Sequence, residues 1–233
     1  MFPLKSRLLL SAFALFFVGC GDDSTPGDGA VGDLRILAMG DSALDFNGDA
    51  STVDQLREVL DDQEAGALVV QAAVGGATLG CGDVGFGQED NCIPPQYEEG
   101  EWDWVLLSGG ANDILDSGCE LETDALINEG GDAGLMVDVI DDLVEMGHKV
   151  LLYGYFLPLD PEGETASCDR LVTLLARYRA LAEAHSDVVY VDAGAVVQRT
   201  QPAYYADDIH PSPEGSRVIA EHIAQALQAA GVL

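Results

Sequence analysis

Residues 34–42 read Leu-Arg-Ile-Leu-Ala-Met-Gly-Asp-Ser, a mostly apolar run that stops at Gly40. Short, nearly continuous apolar runs are typical of strands that are buried on both faces of a parallel sheet. The glycine, aspartate and serine that follow are residues that favour turns. We therefore predict that residues 34–39 form a strand and that Ser42 lies just beyond its carboxyl end.

The same kind of apolar run recurs along the chain and alternates with helical patterns. Further strands are predicted over residues 67–74, 104–107, 149–156 and 188–191. Between them, apolar residues recur every three to four positions, which predicts amphipathic helices. These stripes occupy residues 53–60, 135–143, 171–181 and 218–227. Alternating strands and helices predict an α/β fold, a three-layer α/β/α sandwich with right-handed crossovers.

Two of the predicted helices have a recognisable start. Ser212 followed by Pro213 fits an N-cap residue with proline at the first helical position. Asp132 precedes the stripe of residues 135–143 and is placed to cap that helix. Ligands of parallel α/β sheets bind beyond the carboxyl ends of the strands. The glycine-rich breaks after the first three strands should therefore border the functional site.

The first 19 residues have the features of an export signal. Lys5 and Arg7 form a short basic segment ahead of the apolar run of residues 8–18. That run is shorter than the roughly 20 residues that a membrane-spanning helix needs. It fits the apolar core of a signal peptide, and we predict that residues 1–19 are one.

The end of this segment, Phe17-Val18-Gly19-Cys20, resembles the cleavage motif of bacterial lipoproteins. The resemblance implies cleavage before Cys20 and a diacylglycerol on its sulfur. Residues 21–33 are rich in Gly, Asp, Ser and Pro and are predicted to be a flexible tether. We expect an exported lipoprotein that faces the periplasm or the cell surface, with one domain over residues 34–233. The alternative is an ordinary secretory signal or an uncleaved anchor.

Charge is the most unusual feature of the composition. Among 233 residues, 41 are Asp or Glu and 10 are Lys or Arg, which gives a formal net charge of −31 at pH 7. So acidic a surface repels phosphate backbones and anionic head groups, which argues against nucleic-acid binding. We expect contact with a membrane only through the lipid anchor, and we expect a monomer.

The remaining cysteines are consistent with export. Besides Cys20, the chain has Cys81, Cys92, Cys119 and Cys168. In an oxidising compartment, four cysteines predict two disulfides, for which three pairings exist. We favour Cys81–Cys92, which closes a local loop, and Cys119–Cys168, which would join loops leaving neighbouring strands. No pair has the spacing of a zinc site and no histidine stands beside them, so we predict no metal site.

Four short segments carry polar groups suited to nucleophilic catalysis. Gly40-Asp41-Ser42 places a hydroxyl at a strand-to-helix turn, and Gly75-Gly76 lets the backbone approach a ligand closely. Asn112 offers a neutral donor for developing negative charge. His210 and Asp207 can supply a general base and the acid that orients it. Each segment alone is more typical of an ordinary turn or surface loop, and only the set indicates catalysis.

In this order and at these strand ends, the four segments resemble the SGNH hydrolases, also called the GDSL esterase/lipase family. The resemblance covers the chain from residue 34 onward. It implies a flavodoxin-like sheet of five parallel strands and hydrolysis of carboxylic esters through an acyl-enzyme. It implies no metal and no organic cofactor. The expected substrates are acyl-carbohydrate, short-chain or lipid esters, and the acidic balance favours neutral ones.

The resemblance also implies a role for each matching residue. Ser42 would be the nucleophile, His210 the general base and Asp207 the acid that orients the imidazole. The oxyanion hole would combine the backbone N–H groups of Ser42 and Gly76 with the side-chain amide of Asn112.

Two assignments stay open at this point. Gly75 replaces Gly76 if the turn is shifted by one residue, and Asp208 competes with Asp207, although the D-x-x-H spacing favours Asp207. A second function also stays open, namely a surface-anchored binding protein on the same scaffold. The complete set of polar residues favours the enzyme.

Other polar and aromatic residues have less specific interpretations. The G-x-G-x-x-G of residues 80–85 opens no predicted helix, which argues against a dinucleotide site. Four aromatic residues could line a sugar or acyl site or simply pack, namely Trp102, Trp104, Tyr204 and Tyr205. Three histidines outside the motifs are predicted to lie on the surface, namely His148, His185 and His222.

Overall fold

A computed structural model describes residues 34–82, 85–163, 165 and 168–233. The predicted signal peptide, the Cys20 lipidation site and the tether lie outside the described residues. At the centre is a five-stranded parallel sheet in the order β2-β1-β3-β4-β5. Its strands are β1 (Arg35–Met39), β2 (Leu68–Gln71), β3 (Trp104–Leu107), β4 (Lys149–Gly154) and β5 (Val188–Asp192). This order is that of flavodoxin-like folds.

Helices cover both faces of the sheet and make three layers. The helices are α1 (Ser42–Asp45), α2 (Thr52–Asp62), α3 (Ala111–Asp116), α4 (Thr123–Leu126), α5 (Leu135–Glu145), α6 (Asp169–Ala184) and α7 (Pro213–Ala229). Apolar residues of α2 and α7 pack on one face of the sheet, and those of α5 and α6 pack on the other. The predicted α/β/α sandwich is therefore confirmed. None of the helices within the described residues is long and apolar enough to cross a bilayer.

Strand β2 is shorter than the sequence predicts, and the difference shapes the site. The apolar pattern continues to Val74, but β2 ends at Gln71. The N–H groups of Ala72 and Ala73 both donate to the carbonyl of Ala38, at 2.8 and 2.9 Å, as the chain leaves the sheet. The Val74 N–H then donates to the carbonyl of Gly40 at 3.1 Å. The glycines that follow are thereby held beside the turn after β1.

One of the two predicted helix caps is present. The Ser212 hydroxyl accepts from the Gly215 N–H at 3.1 Å, with proline at the start of α7. The predicted Asp132 cap is wrong, because α5 begins after Gly134, whose φ of 121° favours glycine. Asp132 instead accepts from the Asn128 side-chain amide at 2.7 Å, within the preceding turn.

Both disulfides have the favoured pairing. Cys81 is bonded to Cys92, with their Cα atoms 5.3 Å apart, and Cys119 is bonded to Cys168, with a Cα separation of 5.9 Å. The first closes a loop in the long connection between β2 and β3. The second joins the turn after α3 to the residue that precedes α6, as expected for loops leaving β3 and β4 at the same end.

One histidine and two tryptophans are buried away from the carboxyl edge of the sheet. The surface prediction for His148 is wrong, because this side chain lies in the interior with 6% exposure. Its Nδ1 lies 2.8 Å from the carbonyl oxygen of Trp102, and its Nε2 lies 2.9 Å from the hydroxyl of Tyr97. These partners come from a distant loop, which the helical spacing could not reveal. Trp102 and Trp104 are also buried, so packing is their role.

Candidate active site

The turn after β1 requires glycine and positions the serine. Gly40 has a φ of 145°, and a Cβ atom there would lie 2.0 Å from the Oγ of Ser108. The close approach of the two strand ends therefore excludes any larger residue. The turn makes Ser42 the first residue of α1, at the carboxyl edge of the sheet.

The loop before α7 brings a histidine and an aspartate to this serine. The Nε2 of His210 lies 3.0 Å from the Oγ of Ser42, and its Nδ1 lies 2.8 Å from Oδ2 of Asp207. The other carboxylate oxygen of Asp207 accepts from the backbone N–H groups of Ile209 and His210, at 2.9 and 2.8 Å. Partial burial would raise the pKa of Asp207, but these hydrogen bonds outweigh it and lower the pKa below its usual value.

Asp208 has a different role from its neighbour. Its backbone carbonyl accepts from the Leu159 N–H at 2.8 Å, and its carboxylate accepts from the Asp160 N–H at 2.6 Å. It therefore ties the segment after β4 to the histidine loop. Of the two adjacent aspartates, Asp207 is the one in contact with the imidazole.

An aromatic ring supports the imidazole from one side. Phe46, which follows α1, stacks on His210 with ring centroids 4.0 Å apart and 5° between the planes. The imidazole is thus fixed by a carboxylate at Nδ1 and by a phenyl ring on its face. Phe46 was not singled out in the sequence, because nothing in its spacing relates it to a residue so far along the chain.

Two backbone N–H groups near Ser42 are free to bind an oxyanion. Within the described part of the chain, the N–H groups of Ser42 and Gly76 have no hydrogen-bond acceptor. The N–H of Gly75, by contrast, donates to a carboxylate oxygen of Asp45 at 3.0 Å. The geometry therefore favours Gly76, with a φ of 76°, over Gly75 as an oxyanion donor.

Asn112 completes this group of donors. It lies in the first turn of α3, and its side-chain amide donates to the carbonyl of Ala77 at 2.9 Å. An asparagine amide has two N–H bonds, so one remains available for a ligand. The contact with Ala77 also fixes the amide relative to the glycine turn.

A buried carboxylate holds the loop that follows the glycine turn. Asp113, with 2% exposure, accepts from the N–H groups of Leu79 and Gly80 at 2.9 and 2.8 Å. Burial raises the pKa of Asp113, although the two hydrogen bonds oppose that effect. Asn91 lies in the loop that the Cys81–Cys92 disulfide closes, and its side-chain amide donates to the Gly75 carbonyl at 3.1 Å. Asp113 follows the motif asparagine directly, which was the one signal for it in the sequence.

A second buried carboxylate lies beneath the serine. Asp41 accepts from the Tyr155 hydroxyl at 2.5 Å, from the Ser108 hydroxyl at 2.9 Å and from the Ala43 N–H at 3.1 Å. Burial raises the pKa of Asp41, and the three hydrogen bonds act in the opposite direction. Burial and the nearby Asp41 raise the pKa of Tyr155 as well, which keeps its hydroxyl a neutral donor. The turn that carries Ser42 is thus fixed from below.

A serine, histidine and aspartate joined in this way, beside unpaired N–H donors, are typical of hydrolases with a serine nucleophile. The family model described as GDSL-like Lipase/Acylhydrolase family matches residues 38–218. The chain belongs to this family and is an ester-hydrolysing enzyme. The resemblance drawn from the sequence motifs is thereby confirmed.

Solved structures share the fold. The chain is similar to TesA, with 22% identity and a TM-score of 0.61 over 85% of this chain and 99% of that one. It is similar to the acetyl xylan esterase AlAXEase, with 18% identity and a TM-score of 0.58 over 83% and 100% of the two chains. A carbohydrate acetylesterase family member from Sinorhizobium meliloti has 17% identity and a TM-score of 0.59 over 84% and 98%. No curated protein matches this chain significantly.

Proposed function

We propose that this protein is a serine esterase that hydrolyses carboxylic esters through an acyl-enzyme on Ser42. The observation that carries the proposal is the unbroken chain from the Ser42 hydroxyl through the His210 ring to Asp207. A serine hydroxyl is a weak nucleophile unless a base removes its proton, and here a base lies within hydrogen-bond distance. The unpaired donors beside Ser42 add a place for the developing charge.

In the proposed mechanism, the Ser42 Oγ attacks the ester carbonyl while Nε2 of His210 accepts its proton. The ring then carries a positive charge, which the ionised Asp207 stabilises at Nδ1. The lowered pKa of Asp207 keeps it ionised at neutral pH. The imidazolium next donates its proton to the leaving alkoxide, and the alcohol departs. Water attacks the acyl-enzyme by the same steps, and Ser42 regains its proton.

The tetrahedral intermediates carry a negative oxygen that must be stabilised. We assign this role to the N–H groups of Ser42 and Gly76 and to the side-chain amide of Asn112. Each donor of this kind contributes about 2.7–4 kcal/mol to lowering the barrier. The contacts of Asp45, Asp113 and Ala77 with this region hold the donors in place before substrate arrives.

Neutral esters are the proposed substrates. The described surface carries many more carboxylates than cations, which disfavours an anionic substrate. Two of the similar structures are described as an acetyl xylan esterase and a carbohydrate acetylesterase family member, so acyl-carbohydrate esters belong to the set to be tested. Short-chain and lipid esters complete that set.

The proposal is tested with a p-nitrophenyl ester series and four purified variants. Ser42→Ala and His210→Ala should abolish hydrolysis, and Asp207→Asn should reduce kcat by several orders of magnitude. His222→Ala, on α7 and away from the site, serves as the matched histidine control and should be fully active. Wild-type activity in Ser42→Ala or His210→Ala would contradict the mechanism. A wild-type protein that binds esters without turnover would support the alternative of a binding protein.

We also propose that the protein is exported and anchored through a lipid on Cys20. The motif before Cys20 and two disulfides in the folded domain support this location. Cells expressing the full chain and fed radiolabelled palmitate should yield a labelled protein in the membrane fraction. Cys20→Ser should be unlabelled. Label retained in that variant would contradict the anchor.

A further inference from the structure

A narrow cleft leads away from Ser42 along α3 and α6. Its volume is about 60 Å³, and it also borders Asn112 and His210. Beyond these groups, the walls are mostly apolar. The apolar side chains that matter below are Leu115, Leu157, Pro158, Leu171, Leu175 and Ile209.

The cleft offers few polar partners to a sugar. Ser42, Asn112 and His210 have roles in the proposed reaction. The Tyr155 hydroxyl already donates a hydrogen bond to the Asp41 carboxylate. Thr165 is the one other polar side chain among the described residues that line it. The hydroxyl groups of a bound sugar ring would lose their hydrogen bonds to water here and find no replacement, which costs binding free energy. An alkyl chain has no hydrogen bonds to lose.

The cleft runs from the proposed oxyanion donors towards Leu115. Leu115 lies three residues after Asn112 on α3, so it occupies the same helix face about one turn further on. A carbonyl held by Asn112 therefore has Leu115 within reach of an acyl chain of a few carbons, and the ester series below separates the acyl side from the alcohol side. At the mouth, Leu157 and Ile209 are 40% and 39% exposed, and a bound chain would cover them.

Leu175 is one of the side chains between this cleft and a second, larger groove. That groove has a volume of about 460 Å³ and shares Tyr155, Leu157 and Leu175 with the cleft. Its lining also includes Arg179, which donates to Asp192 at 2.6 Å. The three shared side chains lie between the two spaces. Tyr155 is held by its hydrogen bond to Asp41, and Leu157 is 40% exposed. We therefore take Leu175 as the side chain whose size limits how far a chain can extend.

A covalent link holds the two walls at a fixed spacing. Cys119 follows α3, which carries Leu115, and Cys168 precedes α6, which carries Leu171 and Leu175. The disulfide therefore joins the turn after α3 to the start of α6, the two helices that carry these side chains. A cleft with fixed walls selects chains by size more sharply than one that can widen.

We infer that this cleft is the acyl pocket and that Leu115 and Leu175 determine the length of the acyl chain. This inference rests on the proposed function. It names esters of short to medium fatty acids, from butyrate to octanoate, as better substrates than acetate esters. Each further methylene that enters the apolar cleft contributes about 0.8 kcal/mol, or roughly a fourfold increase in kcat/KM, until the cleft is full.

The test measures kcat/KM for p-nitrophenyl acetate, butyrate, hexanoate, octanoate and dodecanoate. In the wild type, the value should rise from acetate to at least hexanoate and then fall. Leu175→Ala opens the cleft into the larger groove. It should raise the ratio of kcat/KM for dodecanoate to that for hexanoate by about tenfold. Leu115→Phe fills the cleft and should lower the ratio of octanoate to acetate by about tenfold.

Leu68→Phe is the matched control, because this leucine lies on edge strand β2 with 42% exposure and lines neither space. It should keep the wild-type profile. Ethyl, butyl and hexyl acetates vary the alcohol alone and should give nearly constant kcat/KM. If Leu115→Phe is unstable, the Leu175→Ala profile decides by itself.

A fall in kcat/KM from acetate onward, or a dependence on the alcohol alone, would overturn the inference and leave the esterase function intact. An unchanged profile in Leu175→Ala would also overturn it. Failure of the wild-type protein to hydrolyse any ester would instead contradict the proposed function.

Discussion

The phenyl ring of Phe46 lies flat against the imidazole of His210, with ring centroids 4.0 Å apart. Aromatic faces carry partial negative charge and attract cations. In the proposed mechanism, the imidazole becomes positively charged in the transition state and is neutral in the resting enzyme. Phe46 therefore stabilises the transition state more than the ground state, in addition to fixing the orientation of the ring.

Phe46→Leu should lower kcat more than it changes KM. Cation–π contacts contribute about 0.5–2 kcal/mol, so kcat should fall about 2- to 30-fold. Steady-state kinetics with a p-nitrophenyl ester measures the effect. Phe46→Tyr keeps the aromatic face and should retain most of the wild-type kcat. Equal losses in the two variants would show that the aromatic face has no special role.

Asn112→Ala should reduce kcat by about 100- to 1,000-fold, because it removes one of the three proposed oxyanion donors. KM should change little, since the donor acts mainly on the charged intermediate. Asn128→Ala, in the turn before α5, removes an equivalent side chain remote from the cleft and is the control for kinetics. A loss of less than tenfold in Asn112→Ala would remove this side chain from the oxyanion hole.

Asp113→Asn should weaken the loop that follows the glycine turn. An amide in place of the carboxylate turns an NH₂ group towards one of the two backbone donors and leaves it unpaired. This costs about 1–3 kcal/mol in the free energy of unfolding. We also expect a lower kcat, because the loop holds the Gly76 donor. Urea unfolding and kinetics measure the two effects, and Asp116→Asn, on the exposed side of the same helix, should resemble the wild type.

The buried carboxylate of Asp41 should make stability depend on pH. Its pKa is raised in the folded protein, so the folded state holds this proton more tightly than the unfolded state. The resulting stabilisation is complete below the unfolded pKa of about 3.9 and is lost as the pH rises through the folded pKa. In Asp41→Asn the side chain does not ionise, so this loss of stability with rising pH is absent. Its free energy of unfolding relative to the wild type should therefore increase from acidic to neutral pH.

The pKa of Asp207 is shifted in the opposite direction to that of Asp41, so Asp207 provides an internal comparison. Its pKa is lowered, so its contribution is present above the unfolded pKa and is lost as the pH falls through the folded pKa. Asp207→Asn should thus lose stability relative to the wild type at neutral pH, and the difference should shrink in acid. Urea unfolding at a series of pH values measures both variants. Parallel pH curves for all three proteins would contradict the assigned shifts.

The fold follows closely from the pattern of apolar residues. Strand β3 has the predicted bounds, because Trp104–Leu107 is buried on both faces and ends at a glycine-rich turn. The predicted end of β2 was wrong, because the apolar residues continue to Val74 while the regular pairing with β1 ends at Gln71. The next two N–H groups share one carbonyl of β1 as the chain leaves the sheet. The Asp132 cap was also wrong, since α5 begins after Gly134, whose positive φ is not encoded in the apolar spacing.

The site was predictable only where function imposes a residue type in a short motif, after a strand or just before the last helix. Ser42 and Asn112 follow strands β1 and β3, His210 lies in the loop before α7, and the structure brings the three together. Phe46 and the network around Asp41 depend on which surfaces meet after folding. No local spacing in the sequence encodes those contacts.

The central claim is that Ser42 is an activated nucleophile. A fluorophosphonate probe reacts covalently with such serines, and digestion followed by mass spectrometry locates the adduct. We predict a single adduct on the Ser42 peptide of the wild type, none in Ser42→Ala and much slower labelling in His210→Ala. An unlabelled wild-type protein, or equal labelling of Ser42→Ala, would contradict the account.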